Sequence, residues 1–101
     1  MAGRKAGWVY IMTNMPNGTL YTGVTADLAA RATQHREGKG SDFCRQHGLT
    51  RLVWFERHDD IYTAITREKA IKKWRRHWKL RLIHQANPDW RDLYEDLIYL
   101  L

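Results

Sequence analysis

Trp8-Val9-Tyr10-Ile11-Met12-Thr13-Asn14-Met15-Pro16-Asn17-Gly18-Thr19-Leu20-Tyr21-Thr22-Gly23-Val24 is the stretch on which the fold turns. Residues 8–12 are β-branched and aromatic and read as a strand; residues 19–24 read as the strand that returns. Between them, Asn14-Met15-Pro16-Asn17-Gly18 is turn chemistry, and Asn17-Gly18 is a strong hairpin signal. If Asn17-Gly18 is a two-residue loop, Tyr21 lies opposite Asn14. Asn14 shares a face with Tyr10, because side chains alternate along a strand. Both tyrosines then project from one face of the hairpin. A loop of odd register would separate them, and Pro16 beside the turn leaves the register open.

Downstream, Thr25 or Asp27 can cap a helix whose inner face reads Leu28, Arg31, Ala32 and His35, ended by Gly38 and Gly40. Residues 41–50 are ambiguous and admit a short helical turn from Ser41 to His47, closed by Gly48. Leu52-Val53-Trp54-Phe55 reads as a third, buried strand. Asp59 or Asp60 then caps a helix from Ile61 to about Trp74, and a further helical segment covers about Arg76 to Gln85. Asn87-Pro88-Asp89 marks a stop and a restart. The tail has apolar residues at 90, 93, 94, 97, 98 and 101, a helical stripe beside acidic Asp89, Asp92, Glu95 and Asp96. The expected class is α+β: a small antiparallel three-stranded sheet flanked by helices in the order ββαβαα, with an extra C-terminal helix.

Composition narrows the function. The chain has 101 residues, which sets the expectation of one domain. With 44% apolar and 12% aromatic residues it is too hydrophobic for a disordered basic tail. No run approaches the roughly twenty apolar residues of a membrane span. The start, Met1 to Gly7, is charged without a long apolar run after it and does not read as a secretory signal. The lone Cys44 has no internal disulfide partner, which suits a reducing compartment. Charge is concentrated: Arg67 to Arg81 holds eight cations against Glu68 alone, a local +7, leaving −1 for the rest of a chain whose total is +6. Trp74 and Trp78 lie inside that window. A basic segment with aromatic rings fits a polyanion, and equally fits a solvated helix face.

Glu68 is the most informative single residue. At about 100° per residue it falls about 20° from Ile61 on the helical wheel, between Ile65 and Ala64. A carboxylate on a core-facing stripe needs compensation by a metal, a cation or a polar pocket. The alternative is an exposed Glu pairing with Lys72 one turn on. Arg31 and His35 are also one turn apart, a spacing that could hold a phosphate and supply an orienting group or proton donor; a surface charge and a plain helix residue are the other reading. Strand tyrosines such as Tyr10 and Tyr21 are usually half-buried packing residues. Cys44-x-x-His47 is half of a zinc pattern without its second pair, and His58-Asp59-Asp60 is as well explained by a helix cap. There is no phosphate-cradling Gly-rich loop and no Gly-x-Ser-x-Gly elbow.

The assembled order resembles the GIY-YIG nuclease superfamily, most closely its small stand-alone bacterial members. The first triplet corresponds to Trp8-Val9-Tyr10 and the second to Tyr21-Thr22-Gly23. Asp27-Leu28, Arg31-x-x-x-His35 and Ala64-Ile65-Thr66-Arg67-Glu68-Lys69 follow in the family's order. Lys72-Lys73-Trp74, Trp78-Lys79, Leu82-Ile83 and Asn87-Pro88-x-Trp90 look like the ending of the small stand-alone group. Trp8 departs from the signature's first Gly and Thr22 from its Ile, and Val24 stands where excision-repair relatives carry a Lys. Asn87 has an uncertain counterpart in some homing-type relatives. The resemblance assigns residues 6–84 to the nuclease-like domain and 85–101 to a helical extension packed on it.

It also implies that Tyr10, Tyr21, Arg31, His35 and Glu68 line one pocket that hydrolyses phosphodiester bonds in DNA. Glu68 is the expected ligand of one Mg²⁺ or Mn²⁺, which keeps several waters and needs few carboxylates. Arg31 is expected to neutralise phosphate charge and Tyr21 to act as general base, once a nearby metal and guanidinium favour its phenolate. Tyr10 would position that network, and His35 would assist proton transfer or phosphate binding. Lys39, Lys69, Lys72, Lys73, Arg75, Arg76 and Lys79 are the expected backbone contacts to nucleic acid. Substrate choice is expected to be structure-directed or non-specific, since no base-reading module is evident, in a cytoplasmic DNA-repair or recombination setting. No membrane and no small-molecule organic cofactor are expected, and the chain is read as a monomer or weak homodimer. Two rival readings remain: a non-catalytic module binding DNA or structured RNA, and a partner-binding protein using the acidic, apolar tail.

Overall fold

Gly7–Thr13 forms β1 and Leu20–Thr25 forms β2, the hairpin; Arg51–His58 forms β3 on the other side of β1. The result, in a computed structural model that describes residues 5–100 with side chains through Leu97, is an antiparallel sheet of order β2-β1-β3. Met1–Arg4, position 101 and the side chain at position 98 of the apolar tail stripe lie outside what is described. The α+β class and the three-stranded antiparallel sheet follow the sequence expectation.

The hairpin corrects one detail. Thr13 pairs with Leu20 and Met12 with Tyr21, so residues 14–19 make the connection rather than Asn17-Gly18 alone. The Gly18 N–H donates to the Met15 carbonyl at 2.9 Å and Asn17 takes φ 58°, which is a type II turn with Pro16 at its second place. Pro16 fixes the backbone that this turn needs, so the tight Asn-Gly hairpin loop gives way to it. Tyr21 therefore faces Met12 and not Asn14, a displacement of two residues. Parity survives, and Tyr10 and Tyr21 share a face.

Two layers of helix cover the sheet. On one face Val9 and Ile11 pack with Ala64 and Ile71 of α3 (Ile61–Lys73) and Ile83 of α4 (Arg76–Ala86). On the other, Tyr10 and Met12 pack with Leu28 and Ala32 of α1 (Leu28–Arg36), Cys44 of α2 (Asp42–His47), Leu49, and Leu97 of α5 (Tyr94–Leu100). Asp27 and Asp60 are the caps in use, accepting from the Ala30 and Tyr62 amides. The ambiguous 41–50 stretch contains α2, capped by Ser41 and closed by Gly48 at φ 65°.

β3 carries a bulge. Ile11 pairs with Trp54 and Met12 with Leu52, so Val53 has no partner of its own on β1. That is why neighbours Val53 and Trp54 reach the same core. Asn87 takes up the slack: its side-chain amide donates to the Val53 carbonyl at 3.1 Å and to the Arg91 carbonyl at 2.9 Å. Its carboxamide oxygen accepts from the Arg91 amide. The chain then runs along the free edge of β3, where the Leu93 amide donates to the Leu52 carbonyl and Asp92 accepts from the Leu52 amide. One backbone bond and one to the Asp92 carboxylate thus cover an edge that would otherwise be open. Helix starts at Tyr94, four residues later than the apolar stripe suggests, because residues 87–93 are held in that edge conformation, with Trp90 at φ 55°.

Candidate active site

Three rings meet on the α1 side of the sheet. The Tyr10 hydroxyl and His35 Nε2 are hydrogen-bonded at 3.0 Å. Ring centroids are 6.3 Å apart for Tyr10 and Tyr21, 5.6 Å for Tyr10 and His35, and 5.8 Å for Tyr21 and His35. Period-two alternation brings the tyrosines to this face, and the helical spacing Leu28, Ala32, His35 turns the imidazole toward them. Tyr10 and His35 are buried, whereas Tyr21 is only half-buried and opens to solvent.

Two glycines make room. A Cβ at Gly23, opposite Tyr10 on the edge strand, would lie 2.5 Å from the Tyr10 Cζ and hydroxyl. A Cβ at Gly40 would collide with His35 Nδ1. The Gly of the second triplet is therefore required by the ring crossing over it.

Electrostatics separate the roles of these groups. Burial, chiefly, and then Tyr21 push the Tyr10 phenol well above its ordinary value, with Arg31 pulling the other way. Burial and then the Arg31 charge lower the His35 imidazole. Tyr10 thus keeps its proton and His35 stays neutral near pH 7. His35 Nδ1 is buried without a hydrogen-bond partner. With the ring proton on Nε2 the unmet atom is a bare acceptor rather than an orphaned donor, so we assign that tautomer; Nε2–H then donates to the Tyr10 oxygen. The Tyr10 O–H is left to donate outward.

Glu68 sits on the other layer, on α3 between Ala64 and Ile71, and is 8% exposed. Both sequence readings hold in part: the acid faces inward, and it also pairs with Lys72, Nζ to Oε2 at 3.3 Å. It is the weakest of the charges felt at the Tyr10 hydroxyl, which lies over Gly23 of β2. The structure thus brings Tyr10, Tyr21 and His35 into direct contact, whereas Arg31 acts on Tyr10 and His35, and Glu68 on Tyr10, through charge. Among the described residues no group of three or more His, Cys, Asp and Glu could hold a metal, so a metal site here rests on one carboxylate. Buried Cys44, its thiol pushed up by burial, and His58, paired with Glu56 at 2.7 Å, serve packing and surface charge.

The basic residues divide by task. Lys69, Lys72, Lys73, Arg75 and Arg76 are exposed on α3 and α4, and Lys79 is half-buried. Arg76 donates to the Asn17 and Gly18 carbonyls, tying α4 to the hairpin turn, and Lys79 donates to the Lys72 carbonyl. Arg67 pairs with Glu56 and covers Trp74. Lys39 lies apart, in the loop after α1. Asn87 is explained by the β3 bulge and not by the site. One ring escaped the sequence reading: Phe43 of α2 is 43% exposed and stacks on Tyr21 at 6.3 Å. Its only signal was an aromatic residue in the ambiguous stretch.

The GIY-YIG catalytic domain matches residues 6–81, and the chain belongs to the GIY-YIG family, whose domain is of nuclease type. Its relatives include UPF0213 proteins, among them one of Yersinia enterocolitica that is 36% identical over 76 residues, covering 75% of this chain and 78% of that protein. A putative GIY-YIG domain-containing protein of Invertebrate iridescent virus 6 is 35% identical over 80 residues, covering 78% of this chain and 81% of the relative. The solution structure of a UPF0213 protein from Bacillus halodurans superposes with a TM-score of 0.54 at 29% identity, covering 86% of this chain and 92% of that one.

Proposed function

We propose that the chain is a divalent-metal-dependent endonuclease acting on DNA, with Tyr10, Tyr21, Arg31, His35 and Glu68 as its working residues. The observation that carries this reading is the contact of Tyr10, His35 and a half-buried Tyr21, where burial favours the protonated phenol of Tyr10 and the neutral imidazole of His35 and the Arg31 charge is felt by both. Glu68 has the chemistry of a cation ligand: an inward-facing carboxylate whose one ionic contact among the described residues is a long Lys72 ammonium that can swing away. Glu68 would hold Mg²⁺ or Mn²⁺, which would supply Lewis acidity and countercharge during phosphodiester hydrolysis. Arg31 holds the phosphate through its planar fork and offsets charge gained on its oxygens. Tyr10 donates its O–H toward that phosphate, kept in line by His35. Tyr21, the ring that meets solvent, acts as the phenolate, its own proton passed first to solvent, and takes a proton from the attacking water.

The test is relaxation of supercoiled plasmid with Mg²⁺ or Mn²⁺. Wild type nicks; Tyr21→Phe loses about a hundredfold or more in rate, the range for one proton-transfer group, and Glu68→Ala, deprived of its cation ligand, loses at least as much. Unchanged nicking in either variant rejects the assignment. Metal-independent binding with no cleavage in wild type makes the chain a nucleic-acid-binding module instead.

A further inference from the structure

α4 presents an aromatic slot that the hydrolytic site does not use. A surface cavity of about 250 Å³ is lined by Trp74, Trp78, Arg81, Leu82 and Gln85. Four of these recur along one face of α4, at i, i+3, i+4 and i+7, and Trp74 closes the slot from the bend between α3 and α4. Trp74 is half-buried and packs against the core, a fixed wall. Trp78 is 48% exposed, with the Arg81 guanidinium 5.7 Å above its ring. The indole belongs to neither core cluster; its ring neighbour is His77, at 5.2 Å.

The charge around the slot selects its occupant. From Lys69 to Pro88 the chain has no acidic residue, while Lys72, Lys73, Arg75, Arg76, Lys79 and Arg81 flank the two indoles along the chain, Arg81 lining the slot itself. A cationic or neutral apolar peptide gains nothing from that field, whereas a strand of phosphates with flat rings between them matches both features. We propose that the Trp74–Trp78 slot is a stacking site for an unpaired nucleobase. Arg81 then lies over the base plane, and Gln85 offers an amide to its edge. A base inside a duplex has both faces covered by its neighbours, so the slot favours single strands, bulges and branch points over matched duplex. This rests on the reading of DNA as substrate, and not on the hydrolytic chemistry.

The experiment measures binding by fluorescence anisotropy in metal-free buffer on Glu68→Ala protein, which leaves the oligonucleotides intact. The probes are a labelled single strand, a duplex with one bulged nucleotide, the same duplex with an abasic bulge, and the matched duplex. The intact bulge is expected to bind more tightly than the abasic and matched duplexes. Trp78→Ala, whose exposed position spares the fold, should weaken binding to the single strand and intact bulge about five- to a hundredfold, the range of one base–aromatic stack, and leave the matched duplex unchanged. Equal binding of intact and abasic bulges, or equal loss on every probe, overturns the slot while leaving the DNA reading in place. No binding to any probe overturns both. A dimer in sedimentation that Trp78→Ala dissolves, with oligonucleotide binding unaltered, gives the slot to a second copy and overturns the proposal.

Discussion

His35 concentrates the physics of the site in one ring. Burial and the Arg31 charge both disfavour its protonated form in the folded chain, so its folded pKa lies below the roughly 6.5 of an unfolded histidine. The stability this contributes is fully present above about pH 6.5 and is lost as pH falls through the folded value, because only the unfolded chain takes up the proton in between. Acidification from pH 7 toward 5 is therefore expected to lower the Tm of wild type more steeply than that of His35→Gln. Parallel Tm-against-pH curves, recorded calorimetrically at matched ionic strength, would contradict a buried neutral imidazole. Gly23 and Gly40 show the same site from its backbone, since each is a position where a methyl group would strike a working ring.

β3 and the segment that follows α4 depend on Asn87. Its amide satisfies a carbonyl left over by the β3 bulge and fixes the turn at Arg91, so the edge pairing of residues 91–93 starts from it. Asn87→Ala leaves the Val53 carbonyl buried without that donor, at an expected cost of about 1–3 kcal/mol. Urea unfolding measures it, and a loss under about 0.5 kcal/mol would show that the bulge holds without the amide. The sequence revealed the strands, narrowed each cap to two residues of which Asp27 and Asp60 are in use, and set Glu68 on the apolar arc, because each follows from a local period or a local hydrogen bond. It could not reveal the bulge or the meaning of Asn87, whose partners Val53 and Arg91 belong to different elements. The hairpin is intermediate: Asn17-Gly18 pointed to the turn, and Pro16 decided its type, shifting the register by an even step that spared the tyrosine pair. Phe43 stayed hidden because its contact with Tyr21 depends on where α2 docks, which no pattern in residues 41–50 encodes.

Over the whole molecule, charge is divided between a basic strip on α3 and α4 and a remainder that is nearly neutral. No helix among the described residues is long and apolar enough to cross a membrane. Each phosphate neutralised on DNA releases counterions, and the logarithm of affinity falls with the logarithm of salt by about 0.9 per contact. Within the strip, Arg67 and Lys72 are engaged with acids and Arg76 with the hairpin turn, whereas Lys69 and Lys73 are exposed and have no described partner within the chain. Reversing those two tests the strip without disturbing the fold or the Glu68 pair. Lys69→Glu with Lys73→Glu is expected to weaken binding to matched duplex and to flatten the salt slope by about two contacts. Arg57→Glu, on β3 and paired with Asp59, is expected to leave the slope alone. Titrations between low and physiological salt read both. An unchanged slope in the double variant, or an equal flattening from Arg57→Glu, would place the nucleic-acid surface elsewhere, because a dispersed field acts on approach and only contacting cations set the slope.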